Sequence, residues 1–312
     1  MRLIAAFFRL IRLPNLLFIA LTQSLFQFCI YLPLYPDAMS QQDIIWFVLL
    51  VLASLFIAAA GYIINDYFDI NIDEVNKPQK MVVDKIIRRR WAIAWHFMLS
   101  VAGILLTALA VPLREKWYLV LVNIACVALL WLYSTRFKKG LLIGNVVISL
   151  LTAWTILIVF FSKLSLDNAF APGSSSQPKF FRFAFLYAGF AFIISLVREA
   201  VKDMEDIKGD EKYGCRTMPI VWGINATKVY VAVWLIVLIV MLLIIQVYIL
   251  QFQWWWPVVY TLLLIILPLG YIFKKLYRAS SPEDYRWLSN RIKWVMLSGI
   301  LSMVFFYFYL YL

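Results

Sequence analysis

Charge is scarce in this 312-residue chain: 15% of its residues are Asp, Glu, Lys or Arg, whereas 64% are hydrophobic. Soluble domains contain roughly 45–50% apolar residues, so this composition excludes a soluble globular protein. The few charged residues lie in clusters, and the uncharged stretches between them have about the 20 residues that an α-helix needs to cross a bilayer. We therefore predict an all-α, multi-pass membrane protein.

Histidine and cysteine are equally scarce. The chain has one His, and its three cysteines, Cys29, Cys126 and Cys215, lie far apart without CxxC spacing. This excludes a disulfide framework and a Cys/His metal centre. His96 falls in an apolar stretch, where we expect it to pack or to form a hydrogen bond. The chain also lacks a P-loop, a GxGxxG motif and a nucleophile elbow, which leaves nucleotide hydrolysis without support.

Eight uncharged segments predict nine transmembrane helices around a central apolar chamber, because segment 229–273 is long enough for two spans. We place the break between those two spans at the tryptophans before Pro257, since tryptophan suits the bilayer interface. Segment 183–197 is short unless its helix continues into the charged residues that follow. The other predicted spans are 14–34, 44–64, 91–113, 117–135, 140–162 and 294–312.

Basic residues are distributed unequally between the two ends of the predicted spans. Of 29 Lys and Arg residues, 24 lie in the N-terminal segment and in the loops on that side, and five lie on the other side. The positive-inside rule then predicts a cytoplasmic N-terminus and cytoplasmic basic loops, in the plasma or inner membrane of the cell. Because topology accounts for the net charge of +12, we expect no nucleic-acid partner.

Acidic residues are concentrated in two of the cytoplasmic segments, which hold 11 of the 17 acids. Each segment contains an Asp followed by further aspartates three and seven positions later. The two triplets are Asp66, Asp69 and Asp73, and Asp203, Asp206 and Asp210. On an α-helix these offsets fall within roughly 60° of one another, which predicts that three carboxylates converge on one face of each segment.

Converging carboxylates repel one another beside a membrane unless cations bind. Mg²⁺ is the expected cation where carboxylates, water and substrate phosphates share the coordination. A solvated loop is the alternative for one cluster, but two clusters with the same spacing favour facing helices that hold a polyanion through metal ions. Because the span centres carry no charge, an ion-coupled transporter is disfavoured. A substrate with a phosphate head and a long hydrocarbon tail fits this arrangement.

Basic residues interleave with the acids and could neutralise a diphosphate leaving group. Topology alone is the alternative explanation for Arg136 and Lys138. The bases considered are Lys77, Lys80, Arg136, Lys138, Lys139, Arg198, Lys202 and Lys208.

These motifs resemble those of the UbiA family of intramembrane prenyltransferases. Residues 65–73 match the family motif NDxxDxxxD in full, and the second triplet is followed at 214–219 by a G-x-x-T-x-P stretch. The segments 12–15, 133–138 and 144–145 also resemble family sequences. The resemblance covers essentially the whole chain and implies a single transmembrane prenyltransferase domain over residues 1–312.

The resemblance implies Mg²⁺-dependent transfer of a polyprenyl group from a prenyl diphosphate to a lipophilic acceptor within the membrane. An allylic cation would form, and the faces of Tyr133 and Tyr67 are the aromatic candidates to stabilise it. The implied catalytic residues are Asp66, Asp69, Asp203, Asp206 and Lys138. The implied metal ligands are Asn65, Asp66, Asp69, Asp73, Asp203, Asp206 and Asp210. The implied substrate-binding residues are Asn15, Asn65, Lys77, Tyr133, Arg136, Asn145, Arg198 and Lys202.

The acceptor is inferred from residues 198–210, which are similar to the R-E-x-x-K-D-x-x-D-x-x-G-D form of the geranylgeranylglyceryl phosphate geranylgeranyltransferases of ether-lipid synthesis. On this similarity we place the glycerophosphate acceptor ahead of an aromatic quinone precursor of the hydroxybenzoate, dihydroxynaphthoate or homogentisate type. The Gly-Asp ending does not separate the two, because the homogentisate and chlorophyll-synthase types share it. A carrier for an anionic lipid is the alternative outside the enzymes, and a membrane scaffold would leave the repeated spacing unexplained.

Overall fold

The computed structural model describes residues 2–36, 40–79, 81–164 and 176–311, which are almost entirely helical. In chain order the helices are α1 (Arg2–Leu10), α2 (Leu13–Leu34), α3 (Gln41–Phe68), α4 (Ile70–Asn76), α5 (Arg89–Leu109), α6 (Leu113–Thr135), α7 (Ile143–Lys163), α8 (Ser176–Lys212), α9 (Met218–Val221), α10 (Ile224–Leu250), α11 (Trp255–Arg278), α12 (Pro282–Leu301) and α13 (Met303–Tyr311). In these ranges nine helices are long and apolar enough to span a membrane, with α13 continuing α12. The predicted number of spans is confirmed.

The spanning helices extend beyond the uncharged segments that predict them. Lipid offers the backbone no hydrogen-bond partners, so an uncharged segment in a membrane becomes helical, and the helix ends only where water or side chains satisfy its backbone groups. Helix α3 continues to Phe68, inside the first acidic segment. Helix α8 has 37 residues, or about 55 Å at 1.5 Å per residue, and carries the whole second segment. The predicted continuation of the sixth span beyond residue 197 is confirmed.

The ninth span begins earlier than the sequence predicts. We expect a start at residue 294, but α12 begins at Pro282 and includes a charged stretch assigned to a loop. A capping box explains the difference: the Ser281 side chain accepts from the Asp284 backbone, and the Asp284 side chain accepts from the Ser281 backbone. Two backbone N–H groups are satisfied in this way, which stabilises a helix start outside the apolar region.

The first acidic triplet does not lie on one uninterrupted helix, so that prediction is wrong in this detail. Asp69 separates α3 from α4, with φ −89° and ψ 1°, a sparsely populated region of backbone geometry. Hydrogen bonds continue across the bend, from Asp69 N to Asn65 O (3.0 Å) and from Asp73 N to Asp69 O (2.8 Å). Asp69 therefore lies at a corner of the chain, whereas the second triplet lies on continuous helix.

Three buried apolar clusters hold the bundle together. One joins α8, α10, α11 and α12, the second lies at the other end of the bundle around Phe26 and Phe160, and the third lies beneath α1, where Leu10 and Ile63 are fully buried. The third cluster fixes α1 against α3, close to the first acidic segment. His96 is buried, with Nδ1 2.9 Å from the Ala60 carbonyl oxygen, which confirms the expected hydrogen-bonding role.

Candidate active site

The two acidic segments face each other at one end of the bundle. Asn76, the last residue of α4, donates to the Asp206 carbonyl oxygen (2.9 Å) and accepts from the Gly209 backbone N–H (2.9 Å). A Cβ at Gly209 would lie 2.5 Å from Asn76 Nδ2, so only glycine allows this approach without displacing the amide. The predicted pair of facing helical segments is confirmed by these contacts.

In the first segment, bases and amides from other parts of the chain contact the carboxylates. Arg12 donates to Asp66 Oδ1 at 2.6 Å. Asn65 Nδ2 donates to Asp69 Oδ2 at 2.8 Å, and Lys138, from the turn after α6, forms an ion pair with the same oxygen. The turn after α6 is thereby brought against the corner at Asp69.

The second segment is held in the same way. Asn145, in the first turn of α7, donates to Asp203 Oδ2 at 2.8 Å. Lys77, directly after α4, forms an ion pair with Asp206 Oδ2 at 2.7 Å. Residues after α4, after α6 and at the start of α7 therefore meet α8 around one site.

The expectation that three carboxylates converge in each segment is not met. Among the described residues, no three Asp, Glu, His or Cys side chains are grouped closely enough to hold one metal ion. Adjacent carboxylates repel one another in a partly buried place, and bases and amides lie between them instead. Asp66, Asp69, Asp203 and Asp206 each contact a base or an amide rather than another carboxylate.

Burial and neighbouring charges alter the proton affinity of two groups here. Burial, with a contribution from the Asp69 carboxylate, raises the pKa of Asp73 to about 6. Burial favours the neutral form of Lys138, but the adjacent Asp69 carboxylate outweighs it and raises the pKa of Lys138 above its ordinary value. Lys138 is thus a permanent positive charge, whereas Lys138 and Lys77 favour the charged form of Asp73 too weakly to offset its burial and the Asp69 carboxylate.

Two buried oxygen atoms of the site, Asn65 Oδ1 and Asp206 Oδ1, have no hydrogen-bond partner in the described structure. Buried acceptors normally find a partner, and each exception asks for an explanation. Carboxylate and amide oxygens are the hard ligands that Mg²⁺ and Ca²⁺ prefer. The site can therefore accept a divalent cation on these atoms.

The other residues singled out from the sequence have different surroundings. Tyr133 lies within electrostatic range of Lys138, Asp69 and Asp203, and Asn15 lies beside Tyr62. Asp210 is buried. The exposed residues are Arg136, Lys139 and Lys208, and Lys80 lies outside the described residues. Tyr67 belongs to the apolar cluster beneath α1.

The structure adds two residues to the site that the sequence patterns do not predict. Arg12, which the sequence indicates only as a charge that sets topology, contacts Asp66 from the segment 12–15. Glu199 is buried and pairs with Arg198 (3.1 Å) and Lys202 (2.8 Å), so both of these predicted substrate ligands contact an acid of their own helix. The signal for Glu199 was its position between those two bases at helical spacing.

A bundle of apolar helices with bases, carboxylates and amides gathered at one end defines an integral membrane protein with a polar site at that end. Residues 26–309 match the UbiA prenyltransferase family. The chain belongs to this family.

Similar proteins include two named digeranylgeranylglyceryl phosphate synthase. The one from Methanobrevibacter smithii is 31% identical over 176 residues, which cover 56% of this chain and 58% of that protein. The one from Methanosphaera stadtmanae is 28% identical over 258 residues, covering 81% of this chain and 86% of that protein. The chain thus spans less than two thirds of the first relative's length.

Solved structures share the fold. A digeranylgeranylglyceryl phosphate synthase structure has a TM-score of 0.62 at 22% identity and covers 97% of this chain and 99% of its own. A UbiA homologue from Archaeoglobus fulgidus, bound to DMAPP and Mg²⁺, has a TM-score of 0.53 at 18% identity and covers 95% and 98%. The helical fold of the described residues is therefore that of UbiA homologues.

Proposed function

We propose that this protein is a Mg²⁺-dependent prenyltransferase that transfers a polyprenyl group from a prenyl diphosphate to a lipophilic acceptor within the membrane. The observation that carries the proposal is the Asn76 contact, which brings two acidic segments face to face at one end of a bundle of apolar helices. Such a site suits a charged head group on a hydrocarbon chain. Family membership supports this activity.

Mg²⁺ fits the residues that are present. The donor set consists of oxygen atoms, and Asn65 Oδ1 and Asp206 Oδ1 are buried acceptors without a partner. The residues that would hold Mg²⁺ are Asn65, Asp66, Asp69, Asp73, Asp203, Asp206 and Asp210. Bound Mg²⁺ would supply positive charge to the diphosphate as it departs. The Archaeoglobus fulgidus homologue, bound to DMAPP and Mg²⁺, supports this assignment.

The chain's own residues would hold the diphosphate and guide its departure. Lys138 and Lys77 are fixed positive charges on the two acidic segments, preorganised for the charge that develops on the leaving group. Glu199 keeps Arg198 and Lys202 in one arrangement at the start of the second segment. These pairings let the protein stabilise departing diphosphate with little rearrangement.

The carbon chemistry would take place on the apolar side of these charges. The bond between prenyl C1 and the diphosphate oxygen breaks, and its electron pair leaves with the diphosphate. The acceptor nucleophile bonds to C1 and gives up its proton to the released diphosphate. The face of Tyr133, which lies near Lys138 and Asp203, would stabilise the allylic cation by up to about 2 kcal/mol. Asn15 and Arg136 are proposed to contact substrate at the margin of the site, and Asn145 to orient Asp203.

For the acceptor we propose geranylgeranylglyceryl phosphate. The form of residues 198–210 and the relatives named digeranylgeranylglyceryl phosphate synthase support it. An aromatic acceptor of quinone synthesis is the second candidate, because the homogentisate type shares the Gly209-Asp210 ending. We further propose that residues 1–312 form a single catalytic domain in the cell membrane, with the N-terminus and the acidic segments cytoplasmic.

The decisive experiment measures prenyl transfer by purified protein with radiolabelled prenyl diphosphates, each candidate acceptor and Mg²⁺. Asp66→Asn and Asp203→Asn should each lower turnover at least 100-fold, and EDTA should stop the reaction. Asp84→Asn is the matched control, because Asp84 is exposed and pairs only with the exposed Arg89 in the described structure. The mass of the product identifies the acceptor and the prenyl length.

Normal turnover in both site variants would overturn the role given to the two acidic segments. Transport of an anionic lipid across proteoliposomes without any prenylated product would favour the carrier instead.

A further inference from the structure

The end of the bundle opposite the acidic segments holds a second group of charged side chains. Asp43 lies in the first turn of α3, Lys116 near the start of α6, and Lys163 at the end of α7. Asp43 and Asp66 are separated by 23 residues of α3, or about 35 Å of helix at 1.5 Å per residue. The group therefore lies about one bilayer thickness from the candidate active site.

Both lysines are buried and short of hydrogen-bond acceptors. Lys116 is 9% exposed and the Lys163 side chain 8%. Lys116 Nζ donates to the Ser162 carbonyl oxygen, whereas Lys163 Nζ lies 3.8 Å from Asp43 Oδ1, too far for a hydrogen bond, and 5.3 Å from the centroid of the Tyr31 ring. An ammonium group has three N–H donors, so the two lysines have six, and the described residues accept a hydrogen bond from one of them.

The group also has excess positive charge. Asp43 faces two ammonium groups, and its Oδ2 is already used by the helix cap, where it accepts from Ser40 N (3.2 Å) and Ser40 Oγ (2.6 Å). Glu115 also attracts Lys116, but it is exposed, and the adjacent exposed Arg114 carries the opposite charge. A net positive charge with unfilled donors is costly away from water unless an anion binds.

A cavity of about 70 Å³ lies between these groups. At roughly 10–15 Å³ for each water-sized group, it has room for a phosphorus atom with its oxygens. The polar part of its lining includes Asp43, Lys116, Ser162 and Lys163, and the apolar part includes Trp46, Phe47 and Leu50. The lining thus combines anion donors with a surface for a hydrocarbon or glycerol group.

We propose that this cavity is a binding site for a phosphate group, held by the ammonium groups of Lys116 and Lys163. The group comes either from the head of a membrane lipid, with the rest of the lipid against Trp46 and Phe47, or from free phosphate. The proposal does not depend on prenyl transfer.

The test uses the full-length protein in detergent and measures its thermal unfolding. Phosphatidylglycerol should raise the Tm and diacylglycerol, which lacks the phosphate, should not; inorganic phosphate is compared with chloride at equal ionic strength. If only the lipid stabilises the protein, the site binds a lipid head group; if only phosphate does, it binds the free anion. If both do, the site recognises the phosphate group alone. Stabilisation by neither overturns the proposal.

Lys163→Gln should lower the affinity for the stabilising lipid or phosphate at least tenfold. Arg114→Gln, which removes an exposed positive charge from the same end of the bundle, should leave its affinity unchanged. Equal binding by Lys163→Gln and wild type, or an equal loss in both variants, overturns the site. If Lys163→Gln does not fold, amine acylation of the wild type is the test. The stabilising lipid or phosphate should slow acylation of Lys163 at least fivefold and leave acylation of the exposed Lys179 unchanged. Equal acylation of Lys163 with and without it overturns the proposal.

Discussion

Arg12 shows how one residue joins separate parts of the chain. It lies between α1 and α2 with φ 52° and ψ 55°, a left-handed conformation that is uncommon for residues other than glycine. Its guanidinium donates to Asp66 and lies 5.1 Å from the centroid of the Tyr62 ring. The unusual backbone geometry thus accompanies a side chain that contacts the first acidic segment.

We expect Arg12→Gln to lower prenyl transfer about tenfold. A hydrogen bond between charged groups contributes about 1.5–3 kcal/mol, and the partial exposure of this pair places its contribution at the lower end. Arg9→Gln is the control, because Arg9 is an exposed arginine of α1. Steady-state kinetics with varied prenyl diphosphate measures the effect, and equal losses in the two variants would assign it to the charge of α1 rather than to the Asp66 contact.

At the scale of elements, the contact between α4 and α8 determines the site. Helix α4 has only seven residues, too few to be stable alone in water. It is held by the two hydrogen bonds of Asn76 and by the Lys77–Asp206 ion pair, all directed to α8. The position of the first acidic segment therefore depends on a long helix that begins 100 residues further along the chain.

Gly209→Ala should separate these elements, because its Cβ would lie 2.5 Å from Asn76 Nδ2. Two hydrogen bonds of about 0.5–1.5 kcal/mol each would be lost, while alanine gains about 1 kcal/mol in helix propensity. We therefore expect a change of at most about 2 kcal/mol in stability but at least a tenfold loss of turnover, with a higher Mg²⁺ concentration needed for half-maximal rate.

Gly189→Ala is the control in the same helix, because a Cβ there meets no atom within 4 Å. It should keep full turnover and slightly raise the Tm. Wild-type turnover in Gly209→Ala would mean that Asn76 can move without disturbing the site.

At the scale of the whole molecule, the bundle has two polar ends, which are predicted to lie on opposite sides of the membrane. The three native cysteines are buried, so introduced cysteines can be labelled against a low background. We expect a membrane-impermeant maleimide to label Lys139→Cys only in inverted vesicles and Lys179→Cys only in right-side-out vesicles, since both positions are exposed and lie at opposite ends. The reverse pattern would place the acidic segments outside the cell.

The sequence by itself determined the number of spans and the types of group in the site. Uncharged segments in lipid must satisfy their own backbone hydrogen bonds, which leaves helices as the outcome. Charge asymmetry between loops indicated an orientation, and the repeated aspartate spacing indicated oxygen ligands. These features are local, so the order of residues along the chain carries them.

Only the tertiary structure decided which groups meet. Arg12 and Asp66 are 54 positions apart, Lys138 and Asp69 are 69 apart, and Asn76 and Gly209 are 133 apart. The bend at Asp69 and the pairing of carboxylates with bases depend on those contacts, as does the second charged group around Lys163. Each is set by how the helices pack, because packing brings together side chains whose separation along the chain carries no information about their distance in space.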